Sequence, residues 1–214
     1  KILETFIKQA KKLTLTSRAF YNSELGSSLE YITDVFGYDK MLPMNSGAEA
    51  VEAAIKICRK WGYEIKNVEN NKAKILVCNG NFHGRTTTVV SFSSHHGSKE
   101  HFGPLTTGFE IIEYNNINEL ESRLINDKNI VGFLVEPIQG EGGVVVPDDG
   151  YLKKCKELCE KHNVLLIADE IQTGVCRTGK LLASHHENIQ PDIVILGKAL
   201  SGGFYPVSGV LTSK

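Results

Sequence analysis

The sequence predicts an α/β fold, a mainly parallel sheet with helices on both faces. Two observations predict it. Short apolar runs alternate with segments of helical period along the chain, and several runs are apolar at consecutive positions, as strands buried on both sides are. Strands separated by helices need crossover connections, which cover the sheet and bring the strands' carboxyl ends to one edge. Polar residues that end the apolar runs are therefore where chemistry is expected.

In chain order, helical period marks 2–13, 25–36, 47–63, 117–126 and 150–162, and apolar runs mark strands at 74–78, 109–114, 131–136, 164–168, 192–196 and 206–212. The chain starts at Lys1 already inside the pattern Ile2, Leu3, Phe6, Ile7, Ala10 and Leu13, as a piece of a longer protein would. Residues 68–74, rich in Asn and Lys, read as a surface loop, and 91–103 as a longer irregular connection. No internal repeat is visible.

A chain of 214 residues, 41% hydrophobic and 23% charged, can bury a sizeable core within one large domain. Its formal charge of −1 makes any basic face a local patch, so nucleic acid is not an expected partner. Five scattered cysteines, Cys58, Cys78, Cys155, Cys159 and Cys176, form no disulfide framework. A reducing compartment is expected, cytoplasmic or alternatively the mitochondrial matrix. No apolar run approaches the ~18 residues that cross a bilayer, and no signal-peptide pattern opens the chain, so no membrane partner is expected.

The run 164–168 ends in Asp169-Glu170. A carboxylate there would hold magnesium in a nucleotide hydrolase, but that chemistry needs a loop of the form Gly, four residues, Gly-Lys-Ser/Thr. Gly197-Lys198 is followed by Ala199, and Asp192 stands in place of the first glycine. Nor is Gly140-Glu141-Gly142-Gly143 a dinucleotide fingerprint, because Val144-Val145-Val146-Pro147 follows instead of a helix.

Lys198 ends the run 192–196. A lysine at such a strand end either reaches out to solvent or, desolvated, becomes a nucleophile toward an aldehyde. Asp169 favours the second use: with a pyridine ring between the two, it would keep the ring nitrogen protonated and draw electrons from a substrate carbon. Its alternative is to cap the loop that follows.

Asn45-Ser46-Gly47-Ala48-Glu49 opens a helix, where backbone N–H groups and the helix dipole attract a phosphate. Ser46 and Glu49 also have the spacing of a capping box, which needs no ligand. In Asn79-Gly80-Asn81-Phe82-His83-Gly84-Arg85, Phe82 or His83 would stack on a planar cofactor. Arg85 fits a substrate carboxylate bidentately, or forms a surface ion pair. Glu136 ends an apolar run as an orienting carboxylate, and Glu141 lies in the glycine-rich turn as a specificity or ion-pairing residue. Cys155, Cys159 and His162 share a helical face with Tyr151, Leu152 and Leu158, which makes them core, and no metal is expected.

Taken together these segments resemble the class III pyridoxal-phosphate aminotransferases. The likeness rests on Asn45-Ser-Gly-Ala-Glu-Ala50 continuing to Arg59-Lys-Trp-Gly-Tyr63, on Gly80-Asn-Phe-His-Gly-Arg85, and on Glu136-Pro-Ile-Gln-Gly-Glu141. Ala168-Asp-Glu-Ile-Gln-Thr-Gly174 and Leu196-Gly-Lys-Ala-Leu-Ser-Gly-Gly203 complete it, in order and at spacing. The resemblance implies the large domain of an aspartate-aminotransferase-like fold over 1–214, with an amino-terminal segment and a small carboxyl-terminal domain outside it.

It implies pyridoxal 5'-phosphate as cofactor, Lys198 as its covalent partner, Asp169 on the pyridine nitrogen and Gln172 on the phenolic oxygen. Ser46, Gly47 and Ala48 would bind phosphate, Phe82 would stack, Arg85 would grip the α-carboxylate and Glu141 would sort substrates. Within the class the likeness is greatest to members that move the δ-amino group of ornithine to 2-oxoglutarate. His83 stands where those often have tryptophan and where acetylornithine-specific members use histidine, so acetylornithine or another ω-amino acid is the alternative donor. Substrates are thus small amino acids and 2-oxo acids, a homodimer is expected, and the chain alone is expected to lack full activity.

Overall fold

The computed structural model describes residues 1–17 and 19–213. Its elements are α1 (Ile2–Lys12), α2 (Leu25–Phe36), β1 (Lys40–Met44), α3 (Gly47–Glu64), β2 (Lys74–Cys78), α4 (Thr87–Ser91) and β3 (Phe109–Ile112). After them come α5 (Ile117–Asn126), β4 (Ile130–Val135), α6 (Tyr151–Lys161), β5 (Leu165–Asp169), β6 (Ile193–Leu196) and β7 (Ser208–Thr212). The strands form one seven-stranded sheet in the order β1-β7-β6-β5-β4-β2-β3. Only β7 runs against its neighbours. The carboxyl ends of β2, β4, β5 and β6 therefore open onto a single edge, as expected for a parallel sheet.

Period-two alternation along the strands supplies two apolar faces. Ile75 and Val77 of β2 join Val131, Ile167 and Ile195 under α3, which packs Ala50, Val51, Ala54, Ile55 and Cys58 against them. Leu76 and Cys78 point the other way, with Phe133 and Leu166, toward Leu120 and Leu124 of α5 and Cys155 and Cys159 of α6. Each Val, Leu, Ile or Phe among them, fully buried, contributes roughly 1.5–3 kcal/mol. Small residues let α3 lie close: a Cβ on Gly62 would stand 2.4 Å from a Val131 methyl, and one on Gly132 2.5 Å from Cys58 Sγ.

Helices α2 and α5 span the residues the sequence predicts, and the other predicted elements shift by only a residue or two at most ends. Two elements were not expected. Strand β1 contains Pro43, which has no N–H for a ladder, and it forms because it is an edge strand paired on one side only, with Pro43 opposite Gly209 of β7. Helix α4 is five residues long, too short to show a period, and is started by Thr86, whose Oγ1 accepts from Val89 N–H at 3.4 Å. Cys155 and Cys159 are wholly buried core residues, and the five cysteines are free. No helix among the described residues is long and apolar enough to cross a membrane.

Candidate active site

The site is assembled at the carboxyl edge of the sheet by strand register. Asp169 ends β5 opposite Ile195 of β6, and Glu136 follows Val135, which pairs with Ala168 of β5. Gly197 then leads β6 into a short 3-10 turn at Lys198–Ser201. Lys198 itself has φ of +39°, a left-handed conformation that costs a side-chain-bearing residue roughly 1–2 kcal/mol and concentrates at functional sites. Its Nζ donates to Gln172 Oε1. The desolvation expected for this lysine is not met: the side chain is exposed, because the amine stands at the mouth of a cleft instead of under a strand.

That cleft leaves about 460 Å³ of empty space, open mouth included. Asp169, Glu136 and His83 lie on its buried side, while Gln172, Lys198, Phe82 and Glu141 stand nearer solvent. Gly47 and Ala48 bring the start of α3 to the same wall. Two expected residues do not line it. Ser46 is committed to the capping box: its Oγ accepts from Glu49 N–H at 3.3 Å, and Glu49 Oε2 accepts from Ser46 N–H at 2.7 Å. Arg85 lines an adjoining cavity instead, its guanidinium 5.8 Å from the Phe82 ring centre, because the chain turns at Gly84 (φ +123°) before reaching it. Phe82, His83 and Gly84 are walls common to both spaces.

His83, one of the two rings expected to stack on a cofactor, lines the cleft and also reaches Asp169. Its imidazole is buried, and Nδ1 lies 2.6 Å from Asp169 Oδ2. The other carboxylate oxygen, Oδ1, accepts from Ile171 N–H at 3.1 Å. The sequence reading missed three further contributors. Ile171 fills the space that glycine leaves at two positions, since a Cβ on Gly47 or Gly197 would come within 2.9 or 3.2 Å of it. Gly140 lines the cleft too, a Cβ there meeting Gln172 Cγ at 3.1 Å. Glu170, fully buried, accepts from the Thr173 hydroxyl and from the N–H groups of Ala183 and Ser184 at 3.0 and 2.8 Å, tying down the loop that carries Gln172. Only the apolar residue between the two acids and Gln172 hinted at this in the sequence.

Glu136 accepts from Phe82 N–H at 3.0 Å, yet burial raises its pKa above the ordinary 4.5. A raised folded-state pKa adds stability in acid that is lost as pH climbs through the folded value. Glu136→Gln is neutral throughout and keeps an acceptor for Phe82. Its urea midpoint is expected to gain on the wild type's as pH goes from 4.5 to 7; a constant difference across that range would show that Glu136 is not the titrating group.

The aminotransferase class-III family model matches residues 1–214. The chain belongs to the class-III aminotransferases. Among class-III relatives, the ornithine aminotransferase, mitochondrial, of Drosophila ananassae is 60% identical over 211 residues, 99% of this chain and 49% of that protein. A crystal structure of ornithine aminotransferase from Toxoplasma gondii ME49 superposes with a TM-score of 0.98 at 51% identity, covering 100% of this chain and 50% of that one. Acetylornithine aminotransferase from Elizabethkingia anophelis gives a TM-score of 0.87 at 61% identity, over 99% of this chain and 51% of that one. The class-III chain thus spans about half the length of the curated relatives it matches. These likenesses support the mixed, mostly parallel fold derived above.

Proposed function

We propose that this chain is the cofactor-binding large domain of a pyridoxal-phosphate-dependent aminotransferase that moves the δ-amino group of ornithine to 2-oxoglutarate, giving glutamate semialdehyde and glutamate. The observation that carries the cofactor reading is the opposition, across one cleft, of a buried carboxylate, Asp169, and a solvent-side amine, Lys198, delivered by neighbouring strands. The residues present fit the group. Gly47 and Ala48 bring first-turn N–H groups, which have no partner within a helix, to the wall where a phosphate would sit, and the Ser46 hydroxyl keeps its proton to donate. One structure of the Toxoplasma enzyme is described with partial occupancy of this cofactor.

When bound, pyridoxal phosphate supplies an aldehyde and an electron-withdrawing pyridinium ring. The chain supplies the rest. Lys198 Nζ is the nucleophile that holds the aldehyde and, once displaced, the base that takes a proton from the substrate carbon. Asp169 holds the proton on the ring nitrogen. Gln172, already a partner of Lys198, orients the phenolic oxygen, and Phe82 covers the ring. Arg85, exposed in the adjoining cavity that shares Phe82 with the cleft, would meet the substrate carboxylate from that side, and Glu141 on the rim would discriminate among donors by charge. The full-length protein would act as a homodimer. The mitochondrial names of the animal relatives favour the matrix over the cytoplasm as its compartment.

A second donor, acetylornithine, is favoured by the 61% identity to the Elizabethkingia protein. Reducing the cofactor-loaded full-length protein with borohydride and sequencing the labelled peptide by mass is expected to find Lys198, and another lysine, or none, refutes the assignment. Turnover of ornithine at least tenfold above acetylornithine is expected; the reverse order would establish the second donor.

A further inference from the structure

The buried side of the cleft holds a pair that the proposed chemistry has not yet used. His83 and Asp169, 86 positions apart in sequence, meet with side chains 0% and 4% exposed. A carboxylate so buried is costly unless its oxygens receive donors. Asp169 Oδ1 has the Ile171 N–H, and Oδ2 has only His83 Nδ1 among the side chains that reach it. A short contact of 2.6 Å to a carboxylate oxygen is that of a charge-assisted hydrogen bond, so Nδ1 must carry a proton. Nε2, on the far edge of the ring, is buried and has no hydrogen-bond partner among the described residues. A lone pair left unpaired there costs less than a buried N–H without an acceptor, which places the proton on Nδ1.

We infer that His83 is a positioning residue for Asp169: it donates Nδ1–H to Oδ2 and, with the Ile171 N–H on Oδ1, fixes the plane of the buried carboxylate. With one lone pair on each oxygen taken by His83 and Ile171, those that remain face the cleft that Asp169 lines. A carboxylate fixed in this way would hold the proton on the cofactor's ring nitrogen; without the imidazole donor, Asp169 is free to turn about its side-chain bond and would meet that nitrogen less directly. The cofactor half of this inference rests on the proposed function; the assignment of the proton to Nδ1 does not.

Two measurements on the full-length protein test it separately. With 15N-labelled histidine and no cofactor, long-range proton–nitrogen spectra, assigned through His83→Asn, are expected to show a proton on His83 Nδ1 at neutral pH, whether or not Nε2 also carries one. A proton on Nε2 alone overturns the proposal. In the loaded protein, His83→Leu is expected to weaken pyridoxal phosphate binding by about tenfold or more, the consequence of an unsatisfied buried acceptor. It should also shift the 15N signal of the labelled cofactor ring toward the unprotonated form. His83→Asn, whose amide N–H replaces Nδ1–H, is expected to stay within about threefold of wild type and to keep the ring signal. Equal losses in both variants, or none in His83→Leu, overturn the positioning role, whereas a wild type that binds no cofactor while Nδ1 is protonated refutes the proposed function instead.

Discussion

Lys198→Ala is expected to end covalent retention of pyridoxal phosphate and to lower turnover of the full-length enzyme by on the order of 10⁴-fold or more, because one change removes both a nucleophile and a base. The loss should be chemical and not structural. Lys198 is exposed, its side chain hydrogen-bonds to Gln172, and the backbone strain at φ +39° is there with alanine as well. A thermal midpoint close to wild type is therefore expected, since surface changes away from packed features are worth about 0.5 kcal/mol or less. Calorimetry beside single-turnover kinetics checks both halves. Retained turnover would sink the role of Lys198, and a collapsed fold would show that the 3-10 turn needs its lysine.

Asp169→Ala has the second largest effect and a different signature. Lys198 is untouched, so cofactor should still be trapped by borohydride, but turnover is expected to fall roughly 10²- to 10⁴-fold as the ring nitrogen loses the base that keeps it protonated. Stability should fall as well. His83 Nδ1–H and Ile171 N–H lose their acceptor, and each buried donor left unsatisfied costs about 1–3 kcal/mol, offset in part by removal of a buried charge. Asp169→Asn restores an acceptor for one of them, so its urea midpoint should lie between those of wild type and Asp169→Ala while its turnover stays low. Wild-type turnover in Asp169→Ala would remove Asp169 from the chemistry.

What could be read from the residues depended on how local the physics was. Consecutive apolar runs identified β2, β4, β5 and β6 because burial on both faces leaves no polar alternation, and the capping box at Ser46 was legible because its partners are three residues apart. Asp169 and Lys198 were visible as polar ends of such runs. Four things were not. The meeting of His83 with Asp169 is a tertiary event that no window of sequence contains. The diversion of Arg85 into an adjoining cavity follows from the positive φ of Gly84 and from the guanidinium's attraction to the Phe82 ring. The exposure of Lys198 follows from the turn after Gly197, which lifts the amine away from the strand it appears to end. Strand β1 hid behind Pro43, a residue that argues against a strand except at an edge.

The pairing of Asp169 with Ile195 makes the sheet a ruler as well as a scaffold. Strands in one ladder stand roughly 4.8 Å apart, and that spacing sets how far the acid's backbone lies from β6, from whose end the turn after Gly197 carries the amine. A ruler of this kind tolerates no half steps: a slip of one residue along β5 would turn Asp169 to the opposite face and put Ala168 in its place. Length changes in this protein's descendants are thus confined to its connections, such as the solvent-side stretches after Cys176, while an insertion within β5 or β6 would erase the reaction at a stroke and leave the apolar core nearly whole.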